Sequence, residues 1–271
     1  MKESELIELS KKLITICDDA GTQIMSIYSS GQEGEEIKED GSPVTLADLA
    51  SHKVIVEGLS ELKQKFPILS EEDTNSQKKE CSLFWLVDPL DGTKEFINKN
   101  GEFTVNIALI ENGKPIMGIV SAPALGETFI GIAGLGASKI TKSGKKEIQP
   151  SQQDLEKCRI TLSKSHQSES DEKFIKATQK IFSKTEIIPA GSSLKLCRVA
   201  EGTADIYCRL GPTYQWDIAA GQAIVESAGA VINSLEGLSL NYKFDSQLRN
   251  PYFYCSGDPS FDWHSIFKDF E

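Results

Sequence analysis

The segment Asp88-Pro89-Leu90-Asp91-Gly92-Thr93-Lys94 sets two carboxylates three residues apart, directly after the apolar run Leu83-Phe84-Trp85-Leu86-Val87. Such a run, closed by Pro and Gly, reads as a buried strand delivering its acids into a tight turn. Rigidly held oxygen ligands suit a hard divalent cation such as Mg²⁺, which takes a few carboxylates and fills its shell with water and phosphate oxygens. Pro89 fixes its own φ and biases Asp88 towards an extended backbone. Gly92 permits the turn. Thr93 falls where a helix would begin and present open N–H groups to an anion. Turn formation alone is the other use of these residue types.

Further acids fall at the ends of other expected elements. Asp48 lies at the start of a helix, Glu71 and Glu72 follow a short strand, and Asp217 opens the helix Trp216-Asp217-Ile218-Ala219-Ala220-Gly221. Taken singly, Asp48 could complement a helix dipole, Asp217 could cap a helix, and Glu71 and Glu72 could be solvated loop charges.

These acids must be carried by a sizeable scaffold. The 271 residues suffice for one large domain or two moderate ones. A formal charge of −11 and a pI near 4.9 argue against a nucleic acid polymer as partner. They leave room for a small phosphorylated ligand drawn in by local cations and metal. Six scattered cysteines without a Cys-x-x-Cys motif read as reduced, mostly buried thiols. The charged start Met1-Lys2-Glu3-Ser4-Glu5 is unlike a signal peptide, and no apolar run is long enough to span a membrane. A cytoplasmic enzyme is the expectation.

Apolar spacing predicts an amphipathic helix from Leu6 to Tyr28, ending near Ser30-Gly31, and a second from Thr45 to Leu62 that buries Leu46, Leu49, Val54, Ile55 and Leu59. Gly31 to Gly41 reads as a polar loop or loose hairpin. Strands are expected over 66–70, 104–110, 115–121, 128–132, 159–163, 204–209, 231–232 and 253–255, with an Asn112-Gly113 hairpin turn. Helices are expected over 171–181, 191–201 and 216–228, the last closed by Gly229. The lysine-rich stretch 137–156 reads as a boundary between two coupled α/β subdomains, 1–150 and 151–271.

Together the strings Ser70-Glu71-Glu72-Asp73, Trp85 to Thr93 and Trp216 to Gly221 resemble the inositol monophosphatase superfamily of Mg²⁺-dependent phosphatases. Gly101-Glu102-Phe103-Thr104-Val105-Asn106-Ile107-Ala108-Leu109, Ser163-Lys164-Ser165-His166, Gly191-Ser192-Ser193-Leu194-Lys195, Val199 to Gly202 and Gly211-Pro212-Thr213 are similar to its 3′(2′),5′-bisphosphate nucleotidase (CysQ) branch. The likeness covers roughly residues 40 to 255.

The resemblance implies a layered αβαβα sandwich of mixed α/β (α+β) class. It implies one Mg²⁺ held by Glu71, Asp88 and the Leu90 carbonyl. A second would be held by Asp88, Asp91 and Asp217, and a third, weaker ion would depend on Glu71 and Glu72. Thr93 and Asp48 would orient the attacking water, with Glu71 a further base candidate, and Gly92 and Thr93 would grip the phosphate. His166, Ser192, Ser193, Lys195, Arg209 and Asp217 would bind the rest of a small nucleotide, adenosine 3′,5′-bisphosphate or its phosphosulfate relative. Lys38 matches the family's catalytic loop. The family also allows a homodimer and peripheral association with the inner membrane face.

Rival expectations are an inositol monophosphatase or fructose-1,6-bisphosphatase-like sugar phosphatase, and a metal-binding regulatory protein without turnover. A calcium loop lacks its Asp-x-Asp-x-Asp-Gly spacing here. The aromatic, acidic tail 256–271 departs from the family pattern and could dock on its own domain or on a neighbouring subunit.

Overall fold

The computed structural model describes residues 1–31, 34, 36–37, 43–73, 81–163, 168–244 and 248–267. The first half runs α1 (Glu3–Ser30), β1 (Glu36–Ile37), β2 (Pro43–Val44), α2 (Leu46–Glu61), β3 (Ile68–Ser70), β4 (Leu83–Asp91) and α3 (Thr93–Ile97). It continues with β5 (Thr104–Glu111), β6 (Lys114–Ala122), β7 (Glu127–Ile132), β8 (Gly136–Thr141) and β9 (Gly144–Glu147). The second half runs β10 (Lys157–Leu162), α4 (Glu169–Thr178), β11 (Lys184–Pro189), α5 (Leu194–Ala200), β12 (Ile206–Arg209), α6 (Gln215–Ala228), β13 (Val231–Ser234), β14 (Phe253–Ser256) and α7 (His264–Phe267).

Strands β3 to β9 form one sheet in sequence order, parallel only between β3 and β4. The second sheet has the order β11-β10-β12-β14-β13 and turns antiparallel at β14. Short local connections explain the meander, since a two-residue hairpin returns a strand beside its predecessor. Asn112 and Gly113, both at positive φ (52° and 81°), make such a two-residue turn between β5 and β6.

Four apolar interfaces order the layers. Leu13 and Ile24 of α1 and Ile55 of α2 pack on Trp85, Ile107 and Ile119, one face of the large sheet. The opposite face presents Leu86, Ala108, Val120 and Phe129 to Leu194 and Leu196 of α5 and Ala219 and Ile224 of α6. The far side of those helices meets Tyr207, Ile232 and Phe253 of the second sheet. Ile160, Cys208 and Tyr254 then turn outward onto Phe174, Trp263 and Phe267. The result is the α–β–α–β–α sandwich the resemblance implied. Strands β4 to β6 are buried on both faces, which is why they read as continuous apolar runs.

Helix α6 lies unusually close to the large sheet. A Cβ on Gly118 would collide with the Ala220 backbone, and one on Gly131 with the Ile224 backbone. Glycines here let the helix approach, fixing the position of its N-terminus.

Some expectations fail for identifiable reasons. Leu46 and Leu49 are each 49% exposed, while Ala47, Asp48 and Ser51 face inward. The first turn of α2 abuts the end of β4, where Ser51 Oγ donates to Pro89 O at 2.7 Å, so polar residues occupy the inward face. The hairpin β8–β9, within 136–147, was not expected from sequence. Lys145 and Lys146 belong to its exposed edge strand β9, where charge discourages further pairing. Strand β11 was missed because only short apolar pieces mark it. Phe261, Trp263 and Phe267 of the tail pack on α4 of their own chain, with the Phe174 and Phe267 rings stacked at 5.5 Å.

Candidate active site

The register between β4 and β5 jumps from Asp88↔Asn106 to Asp91↔Thr104. Three steps on one strand against two on the other is a bulge, which turns Pro89 and Leu90 out of the ladder and aims the flanking acids to one end of the sheet. Asp88 is buried, and its Oδ1 accepts from Leu90 N at 3.0 Å. Gly92, at φ 89°, ends the strand and begins α3 at Thr93. Glu71 is set beside this turn by the parallel strand β3, its N–H donating to Val87 O at 3.1 Å. Glu72 follows, half-buried.

Asp48 and Asp217 share one local solution. Each is the third residue of its helix and closes a capping box on the residue before the helix. Asp48 Oδ2 accepts from Thr45 N at 2.8 Å and Thr45 Oγ1 at 2.6 Å. Its Oδ1 faces Thr93 Oγ1 at 3.4 Å. Asp217 Oδ2 accepts from Tyr214 N at 2.9 Å. Asp217 is thus the N3 acid of a capping box rather than the N-cap itself, Asp48 is the first-turn acid the sequence allowed, and both stand near Asp88.

Asp91 reaches the second half of the chain. Its Oδ2 lies 2.5 Å from Ser192 Oγ and 2.9 Å from Ser193 Oγ. Ser193 Oγ is also 2.7 Å from Asp217 O. Ser192 sits in the left-handed region at φ 51°, a costly conformation for a side-chain-bearing residue. Beneath them, Asn106 Nδ2 donates to Ser193 Oγ at 2.9 Å, Thr104 Oγ1 donates to Asn106 Oδ1 at 2.9 Å, and Thr104 Oγ1 meets Ser192 Oγ at 2.6 Å.

The electrostatics record how close these acids stand. Burial raises the Asp88 carboxyl well above the usual range, and the charges of Glu71, Asp91, Asp217 and Asp48 raise it further. Asp217 is likewise raised by burial and then by Asp91, against the Tyr214 N–H; Glu71 adds to the rise and Arg209 opposes it. Like charges gathered out of water call for a cation, and an all-oxygen set fits a hard one. In this arrangement the acids turn to protein donors instead, and among the described residues no three His, Cys, Asp or Glu side chains converge into a ready metal cage.

A cleft of about 230 Å³ opens beside the acids, lined by Asp91, Gly92, Glu95, Lys195, Arg209 and Asp217. Lys195 is buried, donates to Ser192 O at 2.8 Å and stands 5.6 Å over the Tyr207 ring. Burial pushes its ammonium down to about 8, opposed by Asp91 and reinforced by Arg209. Arg209 donates to Pro212 O at 3.0 Å, while its buried Nε meets no acceptor. Trp216 packs in the central core, stacked on Tyr214 at 5.1 Å. His166 and Lys38 lie outside the described residues.

Glu95, Thr104, Asn106 and Tyr207 were not singled out from sequence. Thr104 and Asn106 carried a signal: two polar residues at i and i+2 in an apolar strand share one face. Glu95 had none beyond following the Asp88–Thr93 turn.

Among the described residues, no helix is long and apolar enough to cross a membrane. The sequence profile of the Inositol monophosphatase family matches residues 5–252. The chain is 43% identical over 246 residues to the 3′(2′),5′-bisphosphate nucleotidase CysQ of Salmonella typhimurium, covering 90% of this chain and 97% of that protein. It is 42% identical over 241 residues to the protein of the same name from Escherichia coli strain K12, covering 88% and 95%. The crystal structure of CysQ from Bacteroides thetaiotaomicron superposes with a TM-score of 0.80 at 35% identity, over 92% of this chain and 97% of that one. The acid cluster, the bulged strand and the five layers are thus found in a chain that belongs to the inositol monophosphatase family.

Proposed function

We propose that this chain is a 3′(2′),5′-bisphosphate nucleotidase, hydrolysing adenosine 3′,5′-bisphosphate to AMP and phosphate with the help of two Mg²⁺ ions. The phosphosulfate relative of that nucleotide is the second substrate of the same chemistry. The observation that carries the choice is the buried Lys195 lining the cleft beside the acids. A single phosphate seated on metal needs no such cation, whereas a second phosphate on the same ligand does.

Glu71, Asp88, the Leu90 carbonyl, Asp91 and Asp217 would hold the ions, with Glu72 supporting a third, weaker one. Bound there, Mg²⁺ supplies a water of lowered pKa and offsets the charge on the transferring phosphoryl group. Thr93 and Asp48 orient the nucleophilic water through the pair they form, since Asp48 is itself fixed by Thr45. Glu71 is a further base candidate. N–H groups at Gly92 and Thr93 bind non-bridging oxygens. Ser192, Ser193, Lys195 and Arg209 take the phosphate that stays, together with His166. We place the enzyme in the cytoplasm, with two subdomains, 1–150 and 151–271, and a homodimer as its assembly.

Phosphate release from adenosine 3′,5′-bisphosphate, with Mg²⁺ and with chelator, tests the reading. Turnover that needs Mg²⁺ and falls by roughly 100-fold or more in Asp88→Asn supports it, since even neighbours of metal ligands cost ~10–100-fold. Faster turnover of inositol 1-phosphate overturns the nucleotide assignment and leaves the phosphatase.

A further inference from the structure

One charged group in the cleft has no part in the chemistry above. Glu95, in α3, lines the wall between the Gly92 turn and the Ser192 segment. A Cβ on Gly92 would stand 3.3 Å from Glu95 Oε2 and 3.3 Å from Ser192 Cβ. A Cβ on Gly191 would stand 3.1 Å from Glu95 Cγ. The carboxylate is thereby wedged at the junction of both halves of the chain. Among the described residues no side chain donates a hydrogen bond to it. Asp91 and Glu102 repel it, while its own backbone N–H and Lys195 favour its charged form.

An anion is out of place on the wall of a site for a doubly phosphorylated ligand. Ionised, it can only accept hydrogen bonds. Phosphate oxygens offer it nothing but repulsion. The ligand group that could satisfy it is a neutral donor next to the phosphate seated at the Gly92 turn, against which Glu95 stands. In a ribonucleotide bisphosphate that donor is the free hydroxyl vicinal to the scissile ester. We infer that Glu95 is a specificity-determining residue that accepts a hydrogen bond from the hydroxyl next to the ester being cleaved. It selects ribonucleotide bisphosphates over their deoxy counterparts. The inference rests on the nucleotidase reading and sharpens it. A site that hydrogen-bonds a substrate hydroxyl rejects the analogue lacking it, because its own polar group is then left unpaired.

The test compares kcat/KM for adenosine 3′,5′-bisphosphate and 2′-deoxyadenosine 3′,5′-bisphosphate in the Mg²⁺-loaded wild type, Glu95→Ala and Glu95→Gln. The wild type is expected to favour the ribonucleotide by roughly 10-fold or more, the scale of one hydrogen bond to a charged group. In Glu95→Ala the preference falls to within about 2-fold, through loss on the ribonucleotide alone. Glu95→Gln keeps an acceptor of the same shape without the charge, so its preference falls in between. It carries the comparison by itself if the alanine variant does not fold. A purely structural role would slow both substrates equally and leave the ratio standing, which overturns the assignment. Equal turnover of both nucleotides by the wild type also overturns it while the nucleotidase reading survives. No turnover of either defeats both.

Discussion

Asp88 and Asp217 hold their protons more tightly in the folded chain than in the unfolded one, because burial and neighbouring acids penalise the charged forms. In chelator, the contribution of these two groups to stability should therefore be greatest in acid and decline as pH rises from about 4, the unfolded carboxyl range, until both ionise. Thermal melts against pH check this: Asp88→Asn should flatten the decline and raise the melting temperature of the metal-free protein at pH 7. Mg²⁺ should stabilise the wild type and not the variant. Lys195 is the opposite case, its ammonium losing its proton near pH 8 rather than near 10.5. KM for the bisphosphate should rise above pH 8, and a substrate lacking the second phosphate should not show that rise. Lys195→Met should remove the pH effect and lower kcat/KM by roughly 10- to 100-fold, the scale of a charge-assisted hydrogen bond. Asp48 and Asp217 each cap a helix as well as face the site. Asparagine keeps the cap and removes the charge, so it should cost activity with little stability. Alanine should cost activity and about 1 kcal/mol besides, read by urea unfolding.

The element that places Asp217 is α6, and its position depends on two glycines in the sheet beneath it. Gly118→Ala should push α6 off the sheet, costing about 1–3 kcal/mol in urea unfolding and lowering Mg²⁺ affinity through the displaced Asp217. Gly118 itself gave no warning in the sequence, since a glycine in a strand says nothing of which backbone approaches it. Long periodic segments were legible: α1, α6 and the β5–β6 hairpin fall within a few residues of expectation, because periodicity and turn residues agree there. The first turn of α2 was misjudged because its inward face is set by the site it supports, not by oil-like packing. That these acids gather was legible because each sits at an element's end, where a carboxylate is conspicuous. Glu95 and the Thr104–Asn106 pair needed coordinates, since their partners lie 88 and 87 residues away in the case of Thr104 and Asn106.

The five layers give Trp263 a clear duty. Trp263 is fully buried against Phe174 and Phe182, so Trp263→Ala should cost about 3–5 kcal/mol. Size-exclusion chromatography should show no change of assembly, since the ring faces its own chain. The middle layer has a wider consequence. Helices α5 and α6 come from the second half of the chain yet form the floor on which the first half's sheet rests. A scission between Gln149 and Lys157 would leave the leading fragment with one greasy flank bare to water and the trailing fragment with helices lacking a bed. Neither piece should survive alone, and each should be rescued when the two are produced side by side in one cell.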